Sequence, residues 1–421
     1  MNNKTFNQDY RKLEKNLQEP EIRKTIEALF GVLPYTFSEL FKPFDSRTRI
    51  FIVNTPKCEV VCKWFCQEQQ DIYGLSRRPS EVVDSEIGIY QKLAPKPTKD
   101  KPEYIPHYYA STKFSDGTAT IWLEKTEASL DEKLNSQDIQ QEEKKKLIFK
   151  ALETYFAFTK TLNDIMFGTE DKSKIVIPKI ERTFLIDDIG DSIKKMLIAL
   201  YRLLREHYDE REAMYEMLEP LSRYGYPKDG AIDYLLTTTI GSRLTDKFYI
   251  HFNPYPNHFL IREDGKVLLC DLTKIRQASI EIALAQLFFH PSVLNSFNRE
   301  EIEEFITYSY QSLCNSLGLP ELKEEEFKKK VERAGMYASI RNLNYMVSLL
   351  EYFRVKKDDD AYRKNLNLFF QKNKIYKPKN FLTMCRKALS QINIPDPHRQ
   401  FVNFIDDLTN RIINLYEHQN G

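Results

Sequence analysis

Apolar residues recur at helical spacing in an otherwise polar opening stretch. Ile22, Ile26, Leu29 and Phe30 predict an amphipathic helix ending near residue 30. The period then changes. Ile50-Phe51-Ile52-Val53 and Val60-Val61-Cys62-Lys63-Trp64-Phe65 are β-rich runs, and Asn54-Thr55-Pro56-Lys57 between them reads as a turn, so the pair predicts an antiparallel hairpin. Pro79-Ser80 opens a helix over roughly 80–93, with Ser80 as its N-cap. Two further strands are expected near 107–114 and 118–124, joined by the Asp-Gly turn of Ser115-Asp116-Gly117. From about residue 128 the pattern is helical, with helices predicted at 141–163, 191–207, 299–317, 322–353, 361–372 and 398–417. One β-rich island, 247–271, interrupts them. It holds Phe248-Tyr249-Ile250, Phe259-Leu260-Ile261 and Val267-Leu268-Leu269, with Glu263-Asp264-Gly265 turning between the last two. The charged run 356–360 reads as a solvated loop, and no internal repeat is present.

Composition narrows the classes. The 421 residues are 42% hydrophobic, 29% charged and 13% aromatic, enough apolar material for a full core. The 62 Lys and Arg nearly balance 61 Asp and Glu, which argues against a general nucleic-acid binder. Glycine is scarce, 13 residues or about 3% against a usual ~7%, which counts against a fold built on a GxGxxG loop. Six cysteines make no disulfide scaffold. Cys58, Cys62 and Cys66 are spaced by four without a CxxC pair, so no structural zinc is expected and free thiols fit a reducing compartment. The polar start Met1-Asn2-Asn3-Lys4 and the lack of any run of about 18 apolar residues point to a cytoplasmic protein with no membrane span.

The chemistry-bearing stretch is His251-Phe252-Asn253-Pro254-Tyr255-Pro256-Asn257-His258-Phe259-Leu260-Ile261, followed after a short turn by Val267-Leu268-Leu269-Cys270-Asp271. It resembles the aminoglycoside phosphotransferase and choline kinase family, whose pattern is HGDxHPxN followed by two strands and an Asp. His251 falls on the family's His, Pro256 on its Pro and Asp271 on its metal-binding Asp. The resemblance implies an α+β, two-lobed protein kinase-like fold, with a small antiparallel sheet lobe and a large helical lobe. The expected division is a helical extension at 1–34, the sheet-bearing lobe at 35–126 and the helical lobe at 127–421, with the hairpin of 247–271 inside it. It further implies that Lys63 is the strand lysine contacting nucleotide phosphates and Glu86 its helix partner. Glu124, Lys125 and Thr126 then form the hinge that meets the base, and Glu281-Ile282-Ala283 resembles the family's Asp-Leu-Ala at a helix start. ATP and Mg²⁺ are the implied cofactors.

The departures from the pattern bear on activity. The family's catalytic Asp is Asn253, which can orient a hydroxyl but cannot take its proton at neutral pH. The second metal ligand, Asn in the family, is His258; Asn257 one residue earlier is the alternative donor. Glu281 stands where an Asp usually anchors the catalytic loop, and Phe252 where the family has glycine. The phosphate-covering segment Phe44-Asp45-Ser46-Arg47-Thr48-Arg49 contains no glycine, so Arg47 or Arg49 is the expected phosphate contact there.

Taken singly, several of these residues read more plainly. Lys63 is then a solvated edge residue, Glu86 a surface helix residue, His251 a structural, hydrogen-bonding loop residue and His258 a packed histidine. Asp271 is the exception, a carboxylate ending an apolar strand, where burial is costly without a partner. The ordered set favours a nucleotide-binding pseudokinase or slow atypical phosphotransferase. The alternatives are an active ATP-dependent phosphotransferase acting on a small-molecule hydroxyl, and a nucleotide-independent scaffold docking a protein partner through its helical half.

Overall fold

Alternating β-branched and aromatic runs between residues 36 and 124 assemble into one antiparallel sheet. The computed structural model describes residues 11–32, 35–40, 48–66, 69–70, 76–77, 79–93, 103–168, 182–224, 248–318, 322–356, 359–391 and 396–420. The sheet strands are β1 (Thr36–Glu39), β2 (Thr48–Asn54), β3 (Glu59–Phe65), β4 (Tyr108–Lys113) and β5 (Ala119–Glu124), in the spatial order β1-β2-β3-β5-β4. The predicted β2–β3 hairpin is present, with Asn54 opposite Glu59. Its turn is tied by Thr55, whose hydroxyl donates to the Cys58 carbonyl at 2.7 Å and accepts from the Cys58 amide at 3.1 Å. In the β4–β5 turn Gly117 adopts φ 81°, a left-handed conformation that glycine reaches without strain.

The pleat divides the side chains between two cores. Ile50, Lys63 and Ile121 are cross-strand neighbours on one face, while Phe51, Cys62 and Trp122 share the other. The second face is covered by the N-terminal helical segment. Leu13 and Leu17, then Ile26 and Phe30 of α1 (Pro20–Phe30), pack on Phe51, Val53, Val60, Cys62, Trp64 and Trp122. The Phe30 and Trp122 ring centroids lie 5.4 Å apart. On the first face, Phe65, Ile121 and Leu123 join α2 (Pro79–Leu93), through Ile87 and Tyr90, and the main core. This helix begins at Pro79, so Ser80 sits inside the first turn rather than capping it.

The rest of the described chain is mostly helical. After β6 (Ala128–Ser129) come α3 (Leu130–Asn135), α4 (Gln141–Gly168), α5 (Arg182–Leu204) and α6 (Glu210–Tyr224). Ser129 and Glu132 form a reciprocal capping box that fixes the start of α3 directly after the sheet. Next are the short strands β7 (Tyr249–His251), β8 (Phe259–Ile261), β9 (Val267–Leu269) and β10 (Ile275–Gln277). β8 lies between β9 and β6, and β10 pairs with β7. The chain closes with α7 (Ile280–Phe288), α8 (Pro291–Ser296), α9 (Arg299–Leu317), α10 (Glu324–Val355), α11 (Asp360–Lys372), α12 (Pro378–Gln391) and α13 (Asp396–Asn420).

All nine residues of α7 are buried, making it the axis of the helical part. Helix α10 crosses it closely because position 335 is glycine. A Cβ there would come within 2.7 Å of the Phe289 ring. A five-stranded antiparallel sheet bearing one helix, set against a mostly helical remainder with a β-hairpin inside it, is the α+β layout that the sequence resemblance implied.

Candidate active site

Three elements far apart in sequence deliver three charged side chains to one place. Strand β3 carries Lys63 on the face turned toward α2 and the helical part, because it stands opposite Ile50 and Ile121. Helix α2 carries Glu86, which has no exposed surface. The turn after β9 carries Asp271. Lys63 Nζ donates to both Glu86 carboxylate oxygens, at 3.0 and 2.9 Å, and to Asp271 Oδ1 at 3.0 Å. Burial alone would push the Lys63 ammonium down in pKa, but Asp271 and Glu86 outweigh it and hold it above its ordinary value. For Glu86 burial wins, and its carboxyl is raised. Asp271 goes the opposite way. Burial opposes its charge, but Lys63, Lys274 and His258 hold it well below the usual carboxylate range.

Asp271 is held in a strained backbone conformation. It has φ 59° and ψ 56°, and is the one non-glycine residue with positive φ among the described residues. Such a conformation costs about 1–2 kcal/mol for an L-residue. His251 clamps it: Nε2 lies 3.0 Å from the Cys270 carbonyl and 3.1 Å from that of Asp271. Both partners only accept, so Nε2 carries the proton. Burial, followed by repulsion from His258, lowers the His251 pKa to about 3, so the ring is neutral near pH 7. Thr273 Oγ1 donates to Asp271 Oδ1 at 2.7 Å, so that oxygen serves both Thr273 and Lys63.

The loop between β7 and β8 is tightly organised. The Asn253 carbonyl accepts from the Tyr255 amide at 2.8 Å, a three-residue turn centred on Pro254. The same oxygen lies 2.7 Å from His258 Nδ1. The other ring nitrogen, Nε2, faces Asp271 Oδ2 at 3.7 Å. Burial lowers the pKa of His258 and favours its neutral form. Asn253 is nine-tenths buried, and its side-chain Oδ1 has no hydrogen-bond partner among the described residues.

Helix α7 holds this loop. Glu281 is fully buried at the start of α7, where it accepts from the Ser279 hydroxyl at 2.6 Å. The loop backbone is held by Gln286, five residues further along α7. Its Nε2 donates to the Phe252 carbonyl at 2.6 Å, and its Oε1 accepts from the Tyr255 hydroxyl at 3.1 Å. A glutamine alone in the apolar run Ile282–Phe289 was the sequence signal for this role, since a buried amide needs partners. Thr273, two residues past Asp271, was likewise overlooked.

Lys63, Glu86, Asp271, His251, Asn253 and His258 therefore come together. Asn257 is exposed on the 3-10 turn Pro256–His258, and His258 is the residue that faces Asp271. Arg49 corrects an expectation. It stands opposite Trp64, hence on the sheet face away from Lys63, and forms a 2.8 Å ion pair with Glu39 of β1. Arg47 and the rest of the covering segment 44–47 lie outside the described residues. At the junction between the two parts, the Glu124 carboxylate accepts from the His107 amide at 3.0 Å, and Lys125 pairs with Glu59. Thr126 is half-buried beside them.

The implied Mg²⁺ fits these donors poorly. Among the described residues no group of three or more His, Cys, Asp or Glu converges as a metal site. Asp271 Oδ1 is committed to Lys63 and Thr273, leaving Oδ2 and an imidazole nitrogen. Mg²⁺ requires a near-octahedral oxygen shell, and an imidazole does not supply one.

No protein-family model matches the chain, and no curated protein matches it in sequence. Among solved structures, it is similar to the GDP complex of wild-type aminoglycoside 2'-phosphotransferase-IIIa, at 15% identity and TM-score 0.47 over 85% of this chain and 98% of that one. It is similar to a choline kinase from Cryptosporidium parvum Iowa II, at 12% identity and TM-score 0.46 over 87% and 96% of the two chains. A Plasmodium vivax ethanolamine kinase is similar at 12% identity and TM-score 0.45 over 89% and 88%. No helix among the described residues is long and apolar enough to cross a membrane.

Proposed function

We propose that the chain binds the phosphates of a nucleoside triphosphate between its sheet and its helical part, and that it transfers phosphate slowly or not at all. The observation that carries this reading is the pairing of Lys63 with both Glu86 and Asp271. A strand lysine oriented by a helix glutamate, next to an aspartate after a short hairpin, is the arrangement that grips nucleotide phosphates in kinases. Phosphate oxygens would replace Asp271 Oδ1 on the Lys63 ammonium, while Glu86 keeps the ammonium aimed. The segment 124–126 joins the two parts where a base would sit.

Weak chemistry follows from Asn253. Its amide cannot accept the proton of an attacking hydroxyl, and loss of a general base costs on the order of 10²–10⁴ in rate. The test is Asn253→Asp in the full chain with ATP and a panel of hydroxyl acceptors. An inert wild type that gains turnover supports the proposal.

One observation favours a second reading, an active small-molecule phosphotransferase. The Asn253 Oδ1 is buried without a partner among the described residues, so it can accept a hydrogen bond from an incoming hydroxyl and orient it. In that case the wild type turns over, and Asp271→Ala abolishes the activity.

A further inference from the structure

A cleft of about 710 Å³ opens in the helical part and shares no residue with the site around Lys63, Asn253 and Asp271. It lies where the end of α3, the start of α4, the 3-10 turn Lys374–Tyr376 and the first turns of α12 meet. Its volume falls within the range of small-molecule sites, about 300–1,000 Å³. Its walls are tied to one another. Asn135 Nδ2 donates to the Asp131 carbonyl at 2.8 Å and to Ser292 Oγ at 3.2 Å. The Tyr376 hydroxyl donates to Asp131 Oδ2 at 3.0 Å, and Asn380 Nδ2 to the Lys374 carbonyl at 2.9 Å. Little ordering is then left for a ligand to impose.

The lining carries an unbalanced charge. It contains Lys144, Lys374 and Lys379 against one carboxylate, Asp138. Lys144 is half-buried, and its Nζ donates to the Leu134 carbonyl at 2.6 Å, which fixes the ammonium at the end of α3. Burial lowers its pKa, and no carboxylate among the described residues pairs with it. The Lys374 side chain likewise has no hydrogen bond or ion pair among the described residues. Lys379 and Asn380 sit in the first turn of α12, where the helix dipole favours negative charge. Cations gathered in a concave site without matching carboxylates call for an anion from outside.

The uncharged lining narrows the ligand. Asn135 Oδ1 is a buried acceptor with no hydrogen-bond partner among the described residues, a need that a ligand hydroxyl would meet. Asn380 and Thr383 add further hydrogen-bonding groups. No aromatic side chain is among the lining residues, so a nucleobase has nothing to stack on. We propose that this cleft binds a small phosphorylated sugar or polyol, with Lys144 and Lys374 engaging its phosphate and Asn135 and Asn380 its hydroxyls. The site is separate from the one assigned to the nucleotide and does not depend on that reading.

The test is calorimetric titration of the full chain with glucose 6-phosphate, beside identical titrations with inorganic phosphate and with glucose, all without nucleotide. The expected result is saturable binding of one glucose 6-phosphate per chain, at least about tenfold tighter than inorganic phosphate, and no binding of glucose. Lys374→Gln and Lys144→Gln should each weaken that binding by about tenfold. Lys364→Gln, the same loss of charge on the exposed surface of α11, should leave it unchanged. Circular dichroism on every variant, and the Lys374 variant above all, cover the case in which Lys144→Gln does not fold. No saturable binding of glucose 6-phosphate at about 10 mM would overturn the proposal. So would equally tight binding of glucose or of inorganic phosphate, or an unchanged affinity in the folded Lys374 variant. Because the titrations contain no nucleotide, failure to bind ATP leaves their outcome intact.

Discussion

Lys63 Nζ lies 3.0 Å from Asp271 Oδ1, joining residues 208 positions apart and tying the sheet to the helical part. The same ammonium is the sole hydrogen-bond partner of the fully buried Glu86 carboxylate among the described residues. Removing it by Lys63→Met strands a buried charge, at an expected cost of about 3–5 kcal/mol. Adding Glu86→Gln should recover part of that loss. The penalty of the single variant should also shrink in acid, because a protonated Glu86 no longer needs a cation. Urea denaturation of the two single variants and the double variant measures this. Simple additivity would contradict the pairing.

The left-handed backbone at Asp271 predicts a ranking. Asp271→Gly, Asp271→Asn and Asp271→Ala all remove the charge that faces Lys63; asparagine keeps an acceptor oxygen, while glycine and alanine keep none and differ mainly in how they tolerate φ 59°. Glycine adopts it freely and asparagine tolerates it, whereas alanine carries a strain of about 1–2 kcal/mol. Thermal denaturation should therefore find the alanine variant least stable of the three.

Acid should destabilise the protein through its buried histidines. Burial lowers His290 from 6.5 to about 3, and His251 falls to about 3 as well. Between these values the unfolded chain binds protons that the folded chain refuses, so stability is lost as pH falls below about 6.5. Each histidine contributes a slope of about 1.4 kcal/mol per pH unit within that window. Asp131 works the other way. It is buried and hydrogen-bonded to Tyr376 and Ser292, with its pKa raised to about 6, so it favours the folded state as pH falls from 6 toward 3.8. His290 also caps α8, its ring accepting from the Ser292 amide. His290→Asn keeps a capping acceptor and removes the titration. Denaturation at a series of pH values should show its acid slope reduced by about one proton.

Gln286 is expected to matter through the loop it holds. Gln286→Leu removes the donor to the Phe252 carbonyl and should cost about 1–3 kcal/mol. Gln286→Glu faces that carbonyl with a carboxylate and should cost more. Amide hydrogen exchange should show faster opening of residues 252–258 in both variants, and equal protection in wild type and variants would count against this anchor.

Much of the architecture could be read from period alone. The β2–β3 and β4–β5 hairpins, α4, α9 and α10 lie where alternation and helical stripes put them, because each has one face in a core. Asp271 was legible for a related reason, since an aspartate ending Val-Leu-Leu-Cys is a charge where burial demands a partner, whereas Lys63 read singly as a solvated edge residue and stood out only through the family resemblance. What escaped was short or polar. β1 is four residues long on the sheet edge, with alternate positions exposed. α6 contains Pro220. α12 was missed although Phe381, Leu382, Cys385, Ala388 and Leu389 form its buried stripe. Arg49 shows the limit most clearly. One residue of strand register decides which face it occupies, and the sequence around it does not announce that register.

Calorimetric titration of ATP into the full chain, beside the same titration into Lys63→Met shown to be folded, tests the central claim most directly. Saturable binding of one nucleotide per chain, lost in the variant, is the predicted result. No binding at millimolar ATP, or equal binding with and without the Lys63 ammonium, would contradict it.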